Sequence, residues 1–163
     1  MTTYRRIMQN LQDIASNHYQ IKSFHSGWLD EVDVKKLAAD QYAMLYSEPG
    51  TATIDTGVLT YSFTIYVLDM ISEAEQDSAI GLNVGRTDTL SENLNILQDV
   101  INEFKQNLYS TSGVDDDVVL NTPISAEPFT ARFDNLLTGW SATISMQVNN
   151  SNSLCDSPVI ANS

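Results

Sequence analysis

Apolar positions recur along the chain in two rhythms, one helical and one alternating. Tyr4, Ile7, Met8, Leu11, Ile14 and Ala15 follow the spacing of a single helix face, which predicts an amphipathic helix over residues 3–17 with Thr3 near its cap. Tyr19 to Phe24 reads as a short strand, leading into the turn His25-Ser26-Gly27-Trp28-Leu29. Residues 30–40 are polar, with room for a helical turn around Val34 and Leu37. Tyr42 to Tyr46 is an apolar, aromatic strand, and Glu48-Pro49-Gly50 reads as its stop because proline and glycine interrupt strands. From Val58 to Ile71 the alternation is long. Leu59, Tyr61, Phe63, Ile65 and Val67 share one face; Thr60, Ser62, Thr64, Tyr66 and Leu68 share the other. A strand of about 12 residues spans ~40 Å, twice the usual length, and such strands in small proteins reach beyond their own core.

Residues 72–88 form a polar, acidic connection containing Gly81 and Gly85. Thr89-Leu90-Ser91-Glu92 then makes a capping box, in which threonine and glutamate each satisfy an orphan backbone donor. Leu90, Leu94, Leu97, Ile101, Phe104 and Leu108 follow, a helix of ~28 Å whose apolar stripe is too short for a coiled coil and suits packing on a sheet. Val118 to Ile124 is a short strand weakened by Pro123, and the stretch through Phe129, Phe133, Leu136 and Leu137 fits a strand or a helical turn. Thr138-Gly139 reads as a turn. Trp140, Ala142, Ile144, Met146 and Val148 then alternate with polar residues as a last strand. The order α-β-β-β-α-β-β predicts an α+β fold, a mixed or antiparallel sheet flanked by an N-terminal helix and one long central helix. Residues 1–148 are expected to form a single domain and 149–163 a polar C-terminal tail, mobile unless a neighbour holds it.

Bulk properties narrow the picture. A chain of 163 residues with 42% hydrophobic content is large enough for one core without disulfides or a structural metal. It lacks an apolar run of the ~20 residues needed to span a bilayer, and the polar Gln9-Asn10 after Met1–Met8 argues against a signal peptide. The single cysteine, Cys155, cannot bridge internally, which suits assembly in a reducing cytoplasm. Charge is unevenly spread. Residues 1–36 carry five bases (Arg5, Arg6, Lys22, Lys35, Lys36) against four acids, a net of +1. The rest carries Arg86, Lys105 and Arg132 against 17 acids, a net of −14. Such a surface repels phosphates, which weighs against tight nucleic-acid binding; solubility is the plain reading of the excess.

Catalytic and cofactor motifs are missing. The sequence contains no phosphate-binding glycine loop, no dinucleotide fingerprint and no nucleophile elbow. His18 and His25 lack the cysteine or histidine partners of a zinc site and read as surface or interface residues. Asp115-Asp116-Asp117 lacks the spacing and distal glutamate of a calcium loop and reads as a solvated loop. Cys155 has no base or basic neighbour to make it a thiolate. No enzyme activity, metal or cofactor is expected.

The opening helix followed by His18-Tyr19-Gln20-Ile21-Lys22-Ser23-Phe24-His25, the long strand ending Phe63-Thr64-Ile65-Tyr66-Val67-Leu68-Asp69, and Ala126-Glu127-Pro128-Phe129-Thr130-Ala131-Arg132-Phe133-Asp134-Asn135-Leu136-Leu137-Thr138-Gly139-Trp140 are three stretches that resemble a family of tailed-bacteriophage structural proteins, those that complete or terminate the tail. Cys155-Asp156-Ser157-Pro158 adds to the likeness, as do Trp28, Asp30 and Glu31 in the loop after Phe24. The chain departs from the family in a Gly81–Arg86 insertion and in Asn149-Asn150, where related chains tend to have proline. The resemblance implies a sheet-plus-helices tail-terminator fold. It also implies a virion protein, assembled in the bacterial host cytoplasm, that forms a cyclic homo-oligomer (hexamer or dodecamer) at the neck or tail. Connector and tail proteins would be its neighbours, and DNA would pass through without specific binding.

On that reading Trp28, Tyr61, Phe63, Phe129, Arg132, Phe133 and Trp140 are the interface candidates, and Val58–Asp69 and Arg132–Val148 the regions expected to pair or pack across subunits. Arg132, one of three bases among many acids, is expected to pair with a carboxylate. Glu73, Glu75, Asp77, Asp115, Asp116 and Asp117 are the candidates for the inner wall of the ring, where negative charge would keep DNA mobile. The alternatives are a head-to-tail connector of the adaptor or stopper kind and, in another class, a stand-alone cytoplasmic binding module or small hydrolase, which would need a concave pocket with convergent polar groups.

Overall fold

The computed structural model describes residues 3–28, 42–70, 84–110, 118–130 and 137–149. The first helix, α1 (Tyr4–Asn17), starts where the sequence places it. Thr3 is extended, its Oγ1 accepts from the Arg6 N–H at 3.3 Å, and its carbonyl accepts from Ile7 at 3.0 Å. Ile7, Leu11, Ile14 and Ala15 bury one face, and the helix closes at His18, whose N–H reaches the Ile14 carbonyl at 3.0 Å. The following strand is shifted from its expected position. Residues 19–20 form a turn, and β1 (Ser23–Ser26) lies parallel to the start of β2 (Met44–Asp55). That distant pairing sets the register of β1, which the local pattern could not supply.

β2 runs through Pro49-Gly50 instead of stopping there. Between Pro49 and Ala52 its register slips against β3 (Val58–Met70), so Gly50 and Thr51 together oppose Ser62. This is a β-bulge, which absorbs proline and glycine without ending the strand. Two residues, Thr56 and Gly57, join β2 to β3, with Gly57 at φ 75° in the left-handed region.

With β4 (Val118–Leu120), β5 (Ala126–Thr130) and β6 (Leu137–Asn149), β3 is the centre of a six-stranded mixed sheet in the order β1-β2-β3-β6-β4, with β5 also paired to β6. It pairs antiparallel with β2 on one side and, over all of Val58–Met70, with β6 on the other. The outer side of β6 is shared by the two short strands β4 and β5. Pro128 fits in β5 because that strand is an edge and needs hydrogen bonds on one side only. Thr138-Gly139 is strand, not turn. Gly139 opposes Leu68, and a Cβ there would overlap the Val67 carbonyl oxygen, so glycine lets β3 and β6 close together.

α2 (Val84–Ser110) begins five residues before the capping box, leaving Thr89 inside the helix. Both helices cover one face of the sheet. Ile7, Leu11 and Ile14 of α1 and Ile96, Leu97, Val100 and Phe104 of α2 share a buried core with Leu45, Phe63, Ile65, Val67, Ile144 and Met146. Phe63 and Phe104 meet edge to face, ring centres 6.1 Å apart. The other face has a smaller buried cluster at one end, made by Tyr42, Met44, Tyr46, Leu68 and Leu137. Beyond it the surface is polar, with the Thr64 and Thr143 hydroxyls bonded across the strands at 3.3 Å. The fold is thus α+β. No described helix is long and apolar enough to cross a membrane. Residues 30–40, with the expected turn around Val34 and Leu37, and the 150–163 part of the expected tail lie outside the described residues.

Candidate functional site

The interface candidates scatter. Phe63 is fully buried in the chain's own core, so its side chain offers nothing to a partner; the alternation that marks a strand face does not say whether a subunit or a helix covers it. Tyr61 is half-buried against that core, its ring 6.2 Å from Tyr4. Trp140 is half-buried too, and its indole Nε1–H donates to the Leu90 carbonyl of α2 at 2.7 Å, which ties β6 to the helix. Trp28 is exposed, and its carbonyl accepts from the Tyr46 hydroxyl at 2.6 Å. Phe129 stands in β5 opposite Gly139, with its side chain outside the described set. Arg132, Phe133, Glu73, Glu75, Asp77, Asp115, Asp116 and Asp117 all lie outside the described residues.

Val58–Asp69 cannot pair across subunits, because β3 already spends both backbone edges on β2 and β6. Among the described residues, one open edge belongs to β2. Of its residues, Met44–Ser47 pair outward with β1, and Gly27 N–H adds one bond to the Ser47 carbonyl. Among the described residues nothing pairs with the outer side of Thr51–Asp55, all of them exposed. Ile54 projects from this segment at 79% exposure. At the same end of the sheet, on its opposite edge, Val119 of β4 is also exposed. Sequence reading missed this site because Pro49-Gly50 masked the continuation. The one signal was the alternation Thr51-Ala52-Thr53-Ile54 after it.

A second feature is a groove of about 450 Å³ between the C-terminal end of α1 and the middle of α2. Asp13, Asn17, His18, Tyr19, Asp99, Asn102 and Glu103 are among its walls. His18 is held from two sides: its Nδ1 accepts from the Gln20 N–H at 3.2 Å, which leaves Nε2 to carry the proton and donate to Asp99 Oδ2 at 3.0 Å. Tyr19 stacks on His18, rings 5.4 Å apart and 5° from parallel, and is 83% exposed. Nearby, Asn107 Nδ2 donates to Asn10 Oδ1 at 2.9 Å and clamps the two helices together. Carboxylates, amide groups and an aromatic face form a wall set that attracts cations. The sequence sign was faint: Asp99 and Glu103 are like charges four apart on a helix, a spacing that costs helix stability.

At the far end of α2, Asp69 is held above the usual carboxylate range, chiefly by burial and further by the nearby Glu92, while the Met70 N–H it accepts at 2.8 Å opposes the shift. Burial and then the Asp69 charge push the Tyr42 phenol up, and burial with Glu48 does the same to Tyr66. Asn93 Nδ2 donates to the Thr138 carbonyl at 3.4 Å, but its buried Oδ1 has no partner among the described residues. Among the described residues no group of three or more His, Cys, Asp or Glu side chains is placed to hold a metal ion. No protein-family model matches the chain, and no curated protein does.

Proposed function

We propose that this chain is a structural subunit of a tailed-phage particle, with the tail-terminator fold, that forms a ring of its own copies at the neck or tail through which DNA passes. The observation that carries the proposal is the distal half of β2. Among the described residues, Thr51–Asp55 is an edge strand with an open outer side, an exposed isoleucine and no charge until Asp55. Monomeric proteins blunt such edges with lysine, proline, bulges or a covering element; closing a ring removes them by burial in a neighbour. Here the bulge at Gly50-Thr51 lies at the start of the open segment and leaves Ala52–Asp55 extended. The exposed Val119 at the other edge of the same end supplies a second surface for a head-to-tail contact. The resemblance of the long strand ending Phe63–Asp69, which is β3, and of the Ala126–Trp140 stretch to tail-completion proteins supplies the particle.

The test is to measure copy number and position in purified particles, by quantitative mass spectrometry and by antibody labelling under the electron microscope. Several copies at the head–tail junction are expected. A single copy per particle, or none, would overturn the proposal.

A further inference from the structure

We infer that the groove between α1 and α2 is the socket for the Arg5-bearing end of α1 from a second copy of this chain. The inference rests on the reading of the chain as a self-assembling subunit and names one contact of that assembly. Three observations carry it. The first is charge complementarity within one molecule: the first turn of α1 holds Arg5 and Arg6, both exposed, while the groove at its other end is walled by Asp13, Asp99 and Glu103. Arg5 begins the exposed row Arg5, Gln9, Gln12 and Ser16, whereas Asn10 bonds across to α2. Arg5 and the groove therefore lie on different flanks and ~12–20 Å apart along the helix, too far for Arg5 to fill the groove of its own chain, whereas Arg6 shares the groove's row with Asn10, Asp13 and Asn17. A knob and a socket on different flanks join copies head to tail.

The second observation is the chemistry of the walls. Glu103 and Asp13 can take a guanidinium by paired hydrogen bonds, and the open face of Tyr19, whose other face rests on His18, can stack on its plane. The volume lies within the roughly 300–1,000 Å³ of sites that enclose small ligands.

The third is that these charges work against the chain's own helices. α1 has no acid in its first turn, where the helix dipole favours one, and no base in its last, where the dipole favours a cation. Arg5 stands in the unfavourable place, and Glu103 is repelled along α2 by Asp99, which His18 already holds. Arg5 and Glu103, charges that oppose the isolated fold, are explained by a contact outside it.

Sedimentation velocity and light scattering on the full chain test this with Arg5→Glu, Glu103→Lys and the double swap. Both single changes improve the local helix electrostatics, so melting of the monomer should stay level or rise. Wild type should self-associate at low salt and dissociate at ~1 M salt, where the Debye length is about 3 Å. Each single variant should lose roughly tenfold or more in association, a charge-pair effect. Their mixture should associate again in alternation, since the knob of each variant suits the socket of the other. The double swap should associate again. Three results would overturn the inference: single variants that associate like wild type, a double swap that does not recover, or a wild type monomeric at ~1 mM chain that binds spermidine or an arginine peptide instead. Rings in particles built from variants that assemble normally would sink the socket and leave the ring; a swap-dependent association of a chain absent from particles would do the reverse.

Discussion

The two ends of β2 share one strand and have opposite surroundings. Met44, Leu45, Tyr46 and Ser47 are buried, with β1 on one side, β3 on the other and apolar clusters on both faces. Four residues further on, Thr51–Asp55 is exposed and, among the described residues, keeps only β3. The backbone is extended in both, and the turn at Thr56-Gly57 closes the hairpin tightly. The difference is what covers them. α1 and α2 lie over the sheet through Leu45, Phe63, Ile65, Val67 and the inward row of β6, and Ile54 stands outside that cover. One end of the strand holds the fold together, and the other is free for something else. Substitutions along the β2–β3 hairpin and its neighbour β6 should therefore split into those that cost stability and those that do not.

The largest effect is expected at Phe63. Removing its ring leaves a cavity against Phe104 in a fully buried core, and Phe63→Ala should cost about 3–5 kcal/mol in denaturant unfolding. A loss below ~1 kcal/mol would mean that the covered end is not the stabilising one. Gly139→Ala comes next. Its methyl meets the Val67 carbonyl oxygen, so β3 and β6 must separate locally, at roughly 1–3 kcal/mol. The same assay reads it, and an unchanged midpoint would show that the two strands do not approach as described.

Asp69 gives a smaller, pH-dependent effect. Its folded pKa lies above the ordinary 3.8, so the native state holds a proton that the unfolded chain has already released. Stability therefore falls as pH rises from about 3.8 through the raised value. Asp69→Asn, which keeps an acceptor for the Met70 N–H, should flatten that fall and leave the protein more stable than wild type at neutral pH. Urea midpoints across that range check it; a variant that follows the wild-type curve would contradict the assignment. The smallest stability change belongs to the free end. Ile54→Ser should shift unfolding by no more than about 0.5 kcal/mol while lowering incorporation into particles. Normal incorporation of Ile54→Ser would remove the isoleucine from the proposed interface and break the functional half of the contrast.

Local chemistry alone decided a good part of this molecule. Thr3 caps α1, and Ile7, Leu11 and Ile14 turn one helix face inward, because a 3.6-residue rhythm can bury apolar groups in only one way. The alternation from Val58 likewise settles which side chains of β3 face together, because a strand has only two faces. Periodicity is a property of neighbours along the chain, so it is legible without a fold. What covers a face is not. Phe63 read as an interface residue because alternation cannot tell a helix from a partner subunit, and only the packing of Phe104 against it decides. Pro49-Gly50 and Thr138-Gly139 read as breaks because both residue pairs favour turns. The pairing partner across the sheet overrode that preference, once through a bulge opposite Ser62 and once through the close approach of Val67. The groove is further still from the sequence: His18 and Asp99 are 81 positions apart, and their 3.0 Å bond exists only because two helices share one face of the sheet. Sites built from such long-range meetings depend on tertiary packing, which local propensity does not encode.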